Sequence, residues 1–186
     1  MPAQKTYLII DGAKTNGKIS DGLQINPVNK FLSDTGSDKK VNESGIVFDF
    51  QFLAPFAEWF QSEGFGKAWG IFAISNLSID ELIIHLRKFL NVNSADDKEI
   101  GFRLHDPRVL RVFLPTCDAE ELKKIFGPVK MYAMESEDSN FIIQFEILKN
   151  HLVSTRIPAT EFWNSSNNFS DAENPVIQAK NDHDKA

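Results

Sequence analysis

The sequence predicts a single α/β domain: a mixed β-sheet flanked by short helices, with a disordered C-terminal tail. Apolar, strand-like runs alternate along the chain with short segments whose apolar residues recur at helical spacing. A length of 186 residues suits one domain with a real core and is too short to predict two. We assign residues 1–150 to the domain, 151–163 to a C-terminal extension and 164–186 to the tail, which is poor in apolar residues.

Six apolar runs have the composition of strands. The first ends at the turn pair Asp11-Gly12, and the third is nearly continuous in apolar residues, which is typical of an interior strand. An acidic turn separates the last two. The predicted strands are 6–10, 46–50, 69–74, 100–104, 129–134 and 141–148.

Local sequence signals mark the N-termini of five predicted helices. Ser78 with Glu81, and Asp118 with Glu121, have the spacing of a capping box. A proline at the first helical position predicts three further starts, at Pro55, Pro107 and the Asn26-Pro27 pair. The longest predicted helix covers 79–90, where one apolar stripe at helical period runs along its length.

Composition bounds the class of partner. Hydrophobic residues make up 42% and charged residues 25%, as in soluble globular proteins, and 16 Phe against 2 Tyr predict a core built from phenylalanine. The formal net charge of −6 argues against nucleic acid as the main partner, because such binding depends on a cationic surface.

Cysteine usage and the N-terminus indicate the compartment. Cys117 is the only cysteine, so the chain has no intrachain disulfide and nothing points to an oxidising environment. The apolar run at 7–10 is too short for a signal peptide or a membrane span. We therefore expect a cytoplasmic location and no membrane partner.

The run 102–110 concentrates charge at a strand-to-helix turn. Asp106 is suited to cap the helix that Pro107 opens. Arg108 in the first turn is unfavourable beside the positive end of the helix unless an acid lies near it. We expect an internal network of Arg87, Asp106 and Arg108, with His85 and Arg87 on opposite flanks of the stripe of the 79–90 helix. For Arg103 and Arg111, structural and recognition roles both remain open.

The search for chemical motifs indicates a protein without catalytic activity or cofactor. The common Gly-rich phosphate loops, the G-x-S-x-G nucleophile elbow and the H-E-x-x-H zinc motif are absent. His105 and Asp106 form the one pair that suggests a metal-dependent hydrolase, but a metal site needs more ligands. Cys117 is a candidate nucleophile only if a histidine approaches it, and we interpret it as a small residue before a helix cap.

Three tryptophans are candidates for core or partner contacts. Trp59 and Trp69 are typical of a core. Trp163 lies where the fold gives way to the tail, and an exposed aromatic there would favour partner contact. The candidate residues for partner binding or for a structural motif are therefore Trp69, His85, Arg87, Arg103, His105, Asp106, Arg108, Arg111 and Trp163.

Several short motifs follow one another in a characteristic order. They are Trp69-Gly70, Ser75, His85-Leu86-Arg87, the run 102–110, Leu114-Pro115 and Phe126-Gly127-Pro128. Their order and spacing resemble the domain of unknown function found in type VI secretion adaptor proteins (the Tap or TEC chaperones), and the resemblance covers about residues 6–135.

This resemblance implies a cytoplasmic adaptor that binds a toxic effector and helps to load it on the spike protein VgrG. The family is not known for catalysis. Two other classes stay open at this point: an immunity-type protein that binds and neutralises a toxin, and a small metal-dependent hydrolase using His105 and Asp106.

Overall fold

The structure, a computed structural model, describes residues 3–32, 45–93, 99–101 and 103–164. Seven strands form one sheet in the order β2-β3-β1-β4-β7-β8-β9, and β5 pairs with β6 in a separate two-stranded ribbon. The strands are β1 (Lys5–Asp11), β2 (Asn29–Phe31), β3 (Gly45–Phe50), β4 (Gly70–Ser75), β5 (Asn91–Asn93), β6 (Glu99–Gly101), β7 (Val129–Glu135), β8 (Phe141–Leu148) and β9 (His151–Pro158).

Six short α-helices cover the two faces of the sheet. Two single 3₁₀ turns, Gly12–Lys14 and Leu114–Thr116, follow β1 and α4. The helices are α1 (Ile19–Ile25), α2 (Pro55–Glu63), α3 (Ile79–Arg87), α4 (Pro107–Phe113), α5 (Ala119–Phe126) and α6 (Ala159–Asn164). The predicted single α/β domain with short flanking helices is confirmed.

The directions of the strands correct one detail of that prediction. Every pairing among the described strands is antiparallel, so the expected mixed sheet is wrong. The helical connection through α2 does join two parallel strands, β3 and β4. Both of them pair with β1, which lies between them, so the parallel strands share no hydrogen bonds.

Side chains alternate between two cores along the central strand. Tyr7 and Ile9 of β1 enter the core under α3, α4 and α5, whereas Leu8 and Ile10 enter the core under α1, α2 and α6. The second core confirms the prediction of phenylalanine packing. Its buried phenylalanines are Phe48, Phe50, Phe56, Phe60, Phe72 and Phe162.

Both predicted capping boxes are confirmed. Ser78 and Glu81 exchange the two capping hydrogen bonds at the start of α3, and Asp118 and Glu121 do so at α5. The α3 helix ends at Arg87 rather than at residue 90. The amides of Lys88 to Leu90 bond to carbonyls three residues back, which makes a tightened turn instead of a further α-helical one.

Two predicted elements lie elsewhere than expected. Asn26 ends a helix instead of starting one, because its side chain accepts from Val28 N–H and donates to the Asp49 carbonyl, which leads the chain into β2. The strand predicted to reach residue 104 stops earlier. The carbonyl of Arg103 accepts from Asp106 N–H, and this bond closes a turn.

The predicted extension 151–163 forms β9 and most of α6. The β9 strand pairs with β8 along its whole length, and Phe162 of α6 is fully buried in the second core. Residues 165–186, most of the predicted disordered tail, lie outside the described residues. The proposed boundary at residue 150 stays a prediction.

The close approach of β1 and β4 at Gly70 provides a test of the sheet register. A Cβ at this position would lie 2.1 Å from the backbone oxygen of Ile9, which cannot move without breaking the ladder. We expect Gly70→Ala to lower the free energy of unfolding by about 3 kcal/mol or more, measured by urea denaturation. Gly45→Ala is the comparison, because its Cβ would meet side chains rather than backbone, the end of Leu32 at 2.6 Å and the His105 ring at 3.3 Å. Equal losses in the two variants would contradict the register.

Candidate functional site

The charged turn predicted as the candidate site packs against the end of β1. Arg103 Nη1 donates to Asp11 Oδ2 at 3.1 Å, and His105 Nε2 lies 3.6 Å from the same oxygen. The other oxygen of Asp11 accepts from Ala13 N–H at 3.1 Å. His105 is itself buried and covers Gly45, so any Cβ at residue 45 would crowd its ring. Asp11, whose side chain is 2% exposed, is therefore the anchor of the turn.

Asp106 supplies the acid that Arg108 requires. Its Oδ1 accepts from the backbone N–H of Arg108 at 3.0 Å and so caps α4. The Arg108 guanidinium closes over the same carboxylate, with Nε at 3.0 Å from Oδ1 and Nη2 at 2.7 Å from Oδ2. Lys14 Nζ lies 3.8 Å from Oδ2. This bidentate pair compensates for the position of Arg108 in the first helical turn.

A third carboxylate, Glu135 at the end of β7, ties the two faces of the sheet together. Its side chain accepts from Gly66 N–H at 2.7 Å and Ala68 N–H at 2.9 Å, in the loop between α2 and β4. Its backbone oxygen accepts from Arg111 Nη1 at 2.7 Å. Arg111 thereby holds α4 against the sheet, so it has a structural contact in addition to any recognition role.

The three carboxylates respond differently to their surroundings. Burial alone raises the pKa of Asp11, but its interactions with His105, Ala13 N–H and Arg103 bring that pKa below the ordinary value. Asp106 behaves alike, because the hydrogen bonds and charge of Arg108 outweigh burial and lower its pKa. For Glu135, burial prevails over the two loop N–H groups and raises the pKa.

His85 and Arg87 lie on opposite flanks of α3, as predicted, and brace different elements. His85 is buried, with Nε2 2.9 Å from the carbonyl oxygen of Ile125 in α5, and burial lowers its pKa. Arg87 donates to the carbonyls of Leu32 and Phe31 at the edge strand β2, at 2.8 and 3.4 Å. Of the expected network, the Asp106–Arg108 pair is present, and Arg87 donates instead to carbonyls at β2.

Both candidate tryptophans belong to the second core. Trp69 is 4% exposed and packs beside Trp59, with 5.9 Å between ring centroids. Trp163 is 9% exposed and makes an edge contact with Phe65 at 5.3 Å. The expectation of an exposed aromatic at Trp163 is wrong, because α6 folds back over the sheet and buries it.

The nucleophile and metal candidates have structural surroundings. The Cys117 thiol lies 3.4 Å from the carbonyl oxygen of Phe113, and burial raises its pKa to about 11, so it is a neutral thiol at pH 7. His105 and Asp106 contact different partners, Asp11 and Arg108 respectively. Among the residues whose side chains are described, no group of three or more His, Cys, Asp or Glu could hold a metal ion.

Sequence reasoning missed Asp11, Lys14 and Glu135. Asp11 was interpreted as half of a turn pair, although an acid directly after a buried strand is a signal for a required counter-charge. The sequence places Glu135 in an acidic turn and gives no signal that singles out Lys14. Only the antiparallel register of β1, β4 and β7 brings these three positions to one end of the sheet.

The sequence matches the family described as "Domain of unknown function (DUF4123)" over residues 6–124, more than half of the chain. The chain belongs to this family. DUF4123 is linked to type VI secretion effector adaptors. The matched segment includes β1, the charged turn and α4, whereas β7, which completes the sheet beside β4, follows it.

Two further comparisons found no match. No curated protein and no solved structure matches this DUF4123 chain. Within the described ranges, no helix has both the length and the apolar character needed to cross a membrane. The family membership therefore rests on the sequence of residues 6–124.

Removing the Arg108 guanidinium tests the pair with Asp106. Arg108→Ala takes away both side-chain hydrogen bonds and leaves the nearly buried Asp106 carboxylate with Lys14 as its remaining cation. We expect a loss of about 1–2 kcal/mol in the free energy of unfolding, because one partner stays buried while the other is half exposed. The measurement is urea denaturation monitored by tryptophan fluorescence.

Lys30→Ala is the control for Arg108→Ala. Lys30 forms its ion pair with Asp80 between two exposed side chains, so its removal is expected to cost less than about 0.5 kcal/mol. Equal losses of unfolding free energy in the two variants would show that the burial of Asp106 does not strengthen its ion pair with Arg108.

The pH dependence of stability tests the ionised state of Asp106. Its pKa is lower in the folded chain than the unfolded value of about 3.9, so its stabilising contribution is complete above that value and is lost as the pH falls through the folded pKa. Asp106→Asn lacks this contribution. We therefore expect its free energy of unfolding to fall less than that of the wild type between neutral and strongly acidic pH.

Asp138→Asn is the matched control, because it removes a half-exposed carboxylate that pairs with a half-exposed arginine. A profile for Asp106→Asn that runs parallel to that of the wild type would contradict a lowered pKa at Asp106. An equal departure from the wild type in both variants would assign it to loss of a surface charge instead.

Proposed function

We propose that this chain is a cytoplasmic adaptor or chaperone that binds a toxic effector of a type VI secretion system and promotes its loading onto the VgrG spike. The observation that carries the proposal is the DUF4123 match over residues 6–124, in a family linked to such adaptors. The match spans the whole charged turn together with α3 and α4.

The arrangement of the candidate residues supports binding rather than catalysis. Most of the side chains that chemistry would use have structural contacts: His85 contacts a helix carbonyl, and Asp106 caps α4 and pairs with Arg108. His105 Nε2 lies 3.6 Å from Asp11, although its buried Nδ1 has no hydrogen-bond partner within the described part of the chain. The half-buried Cys117 thiol has a raised pKa. We therefore propose that the protein is not an enzyme and has no cofactor of its own.

Escort and release place opposite demands on an adaptor. It must hold its effector long enough to deliver it and must then give it up at the spike. A modest contact with a few strong anchors and a polar rim meets both demands better than a wide apolar interface. Charged rim contacts also speed association and sharpen the choice of partner, which suits a carrier that meets many proteins in the cytoplasm.

Gene deletion tests the adaptor proposal against the immunity alternative. We expect a strain that lacks this chain to keep growing but to stop exporting the effector, measured by immunoblotting of culture supernatant and of cells. Re-expression of the chain should restore export, and export of a second, unrelated effector serves as the control.

Two results would overturn the proposal. Death of the producing strain after deletion, with suppression by deleting the toxin, would identify an immunity-type protein instead. Stoichiometric metal in the purified protein, lost on His105→Ala, would support the hydrolase alternative.

A further inference from the structure

The charged turn has an outer side that its internal contacts do not explain. The carboxylates of Asp11 and Asp106 are 2% and 4% exposed, whereas the side chains of their partners Arg103 and Arg108 are 55% and 56% exposed. The negative ends of these pairs therefore lie inside the protein and the positive ends face solvent. We call the outer side, formed by Lys14, Arg103, Arg108, Arg111 and Val112, the α4 basic surface.

The charges of this network do not cancel. Among the residues whose side chains are described, the four cations of the α4 basic surface lie beside the carboxylates of Asp11 and Asp106 and near that of Glu135, whose backbone oxygen Arg111 contacts. Four cations against three carboxylates leave one positive charge in excess in this described part. The raised pKa of Glu135 acts in the same direction, since it favours the neutral acid. A chain with a net charge of −6 thus presents a local positive area at this end of the sheet.

The arginines also keep hydrogen-bond donors for a partner. Arg103 uses Nη1 toward Asp11, and Arg108 uses Nε and Nη2 toward Asp106. A guanidinium carries five N–H donors, and the remaining donors of these two side chains have no acceptor among the described residues. Because Asp11 and Asp106 hold the guanidinium groups in place, little side-chain entropy remains to be lost when a partner binds.

An exposed apolar side chain lies within the same surface. Val112 is 66% exposed and stands four residues after Arg108, so both occupy one side of α4. Pre-positioned arginines around an apolar contact have the composition of a protein-binding site. The small area and the acidic remainder of the chain disfavour a long nucleic-acid strand, which would be repelled beyond the first contacts.

We propose that the α4 basic surface docks an acidic segment of a partner protein, with carboxylates on Arg103 and Arg108 and an apolar side chain on Val112. This inference deepens the proposed function, since the effector is the partner in question. The internal ion pairs hold the surface rigid, and the segment binds to its outward donors. Electrostatic binding of this kind weakens steeply as salt rises, so the carrier can hold its partner and also dissociate from it.

A charge placed at residue 112 tests the surface without disturbing its internal pairs. Val112→Glu puts a carboxylate one helical turn from Arg108 on the exposed side of α4, where it repels an acidic segment, while Asp106 keeps its two hydrogen bonds to the guanidinium. Val112→Lys is the opposite variant. Ile84→Glu is the matched control, because Ile84 is also an exposed aliphatic residue, at 61%, on a helix of the same face. All three variants should unfold at the wild-type urea concentration.

The first measurement uses fluorescence anisotropy with a labelled polyglutamate peptide at low ionic strength. We expect Val112→Glu to bind the peptide about tenfold more weakly than the wild type. Val112→Lys and Ile84→Glu should bind it at least as tightly as the wild type. Polylysine should not bind at the surface. Equal affinities for Val112→Glu and the wild type, no binding by the wild type, or tighter binding of a single-stranded oligonucleotide would each overturn the proposal.

The second measurement separates this inference from the proposed function. Each variant is co-expressed with the toxic effector whose export the gene deletion shows to depend on this chain, and is captured by an affinity tag. We expect the wild type and Ile84→Glu to retain the toxin and Val112→Glu to lose it. Retention by Val112→Glu would overturn the surface and leave the adaptor proposal intact. Failure of the wild type to capture the toxin would count against the adaptor proposal. The peptide measurement would then be the test of whether the α4 basic surface binds acidic segments.

Discussion

Two buried carboxylates, Asp11 and Asp106, constrain the whole end of the sheet at which β1 stops. An ionised carboxylate without a partner in such a place would cost several kcal/mol, so a cation must reach each of them. The segment 103–108 supplies both, with Arg103 on Asp11 and Arg108 on Asp106. The pair of Arg108 with Asp106 lies within the segment and fixes the start of α4 relative to the turn. Arg103 and His105 against Asp11, and Lys14 3.8 Å from Asp106, then hold the turn against the end of the central strand.

The same constraint gives the turn two sides with different roles. Inside, the carboxylates and His105 hold α4 over the sheet, and Arg111 extends this hold to the end of β7. Outside, the guanidinium groups are rigid, half exposed and rich in donors. A scaffold and a binding surface therefore need not compete for the same residues, since each pair contributes its acid to one and its base to the other.

The features of the fold and the site that could be predicted are those whose sequence signals are local. Capping residues act within one helical turn, so Ser78, Asp106 and Asp118 identified the starts of α3, α4 and α5 from the sequence alone. Partners distant in sequence were beyond such rules. Asp11 lies 92 residues from Arg103. Trp163 is buried because α6 returns over the second core, and no local pattern shows that return.

Hydrogen exchange on the chain bound to its effector tests the central claim most directly, because it reports where the partner lies without any substitution. The account predicts that the amides of 103–116 become protected in the complex while those of α1 and of the edge strand β2 exchange as in the free chain. Protection confined to α1 and β2, with no change at α4, would contradict it.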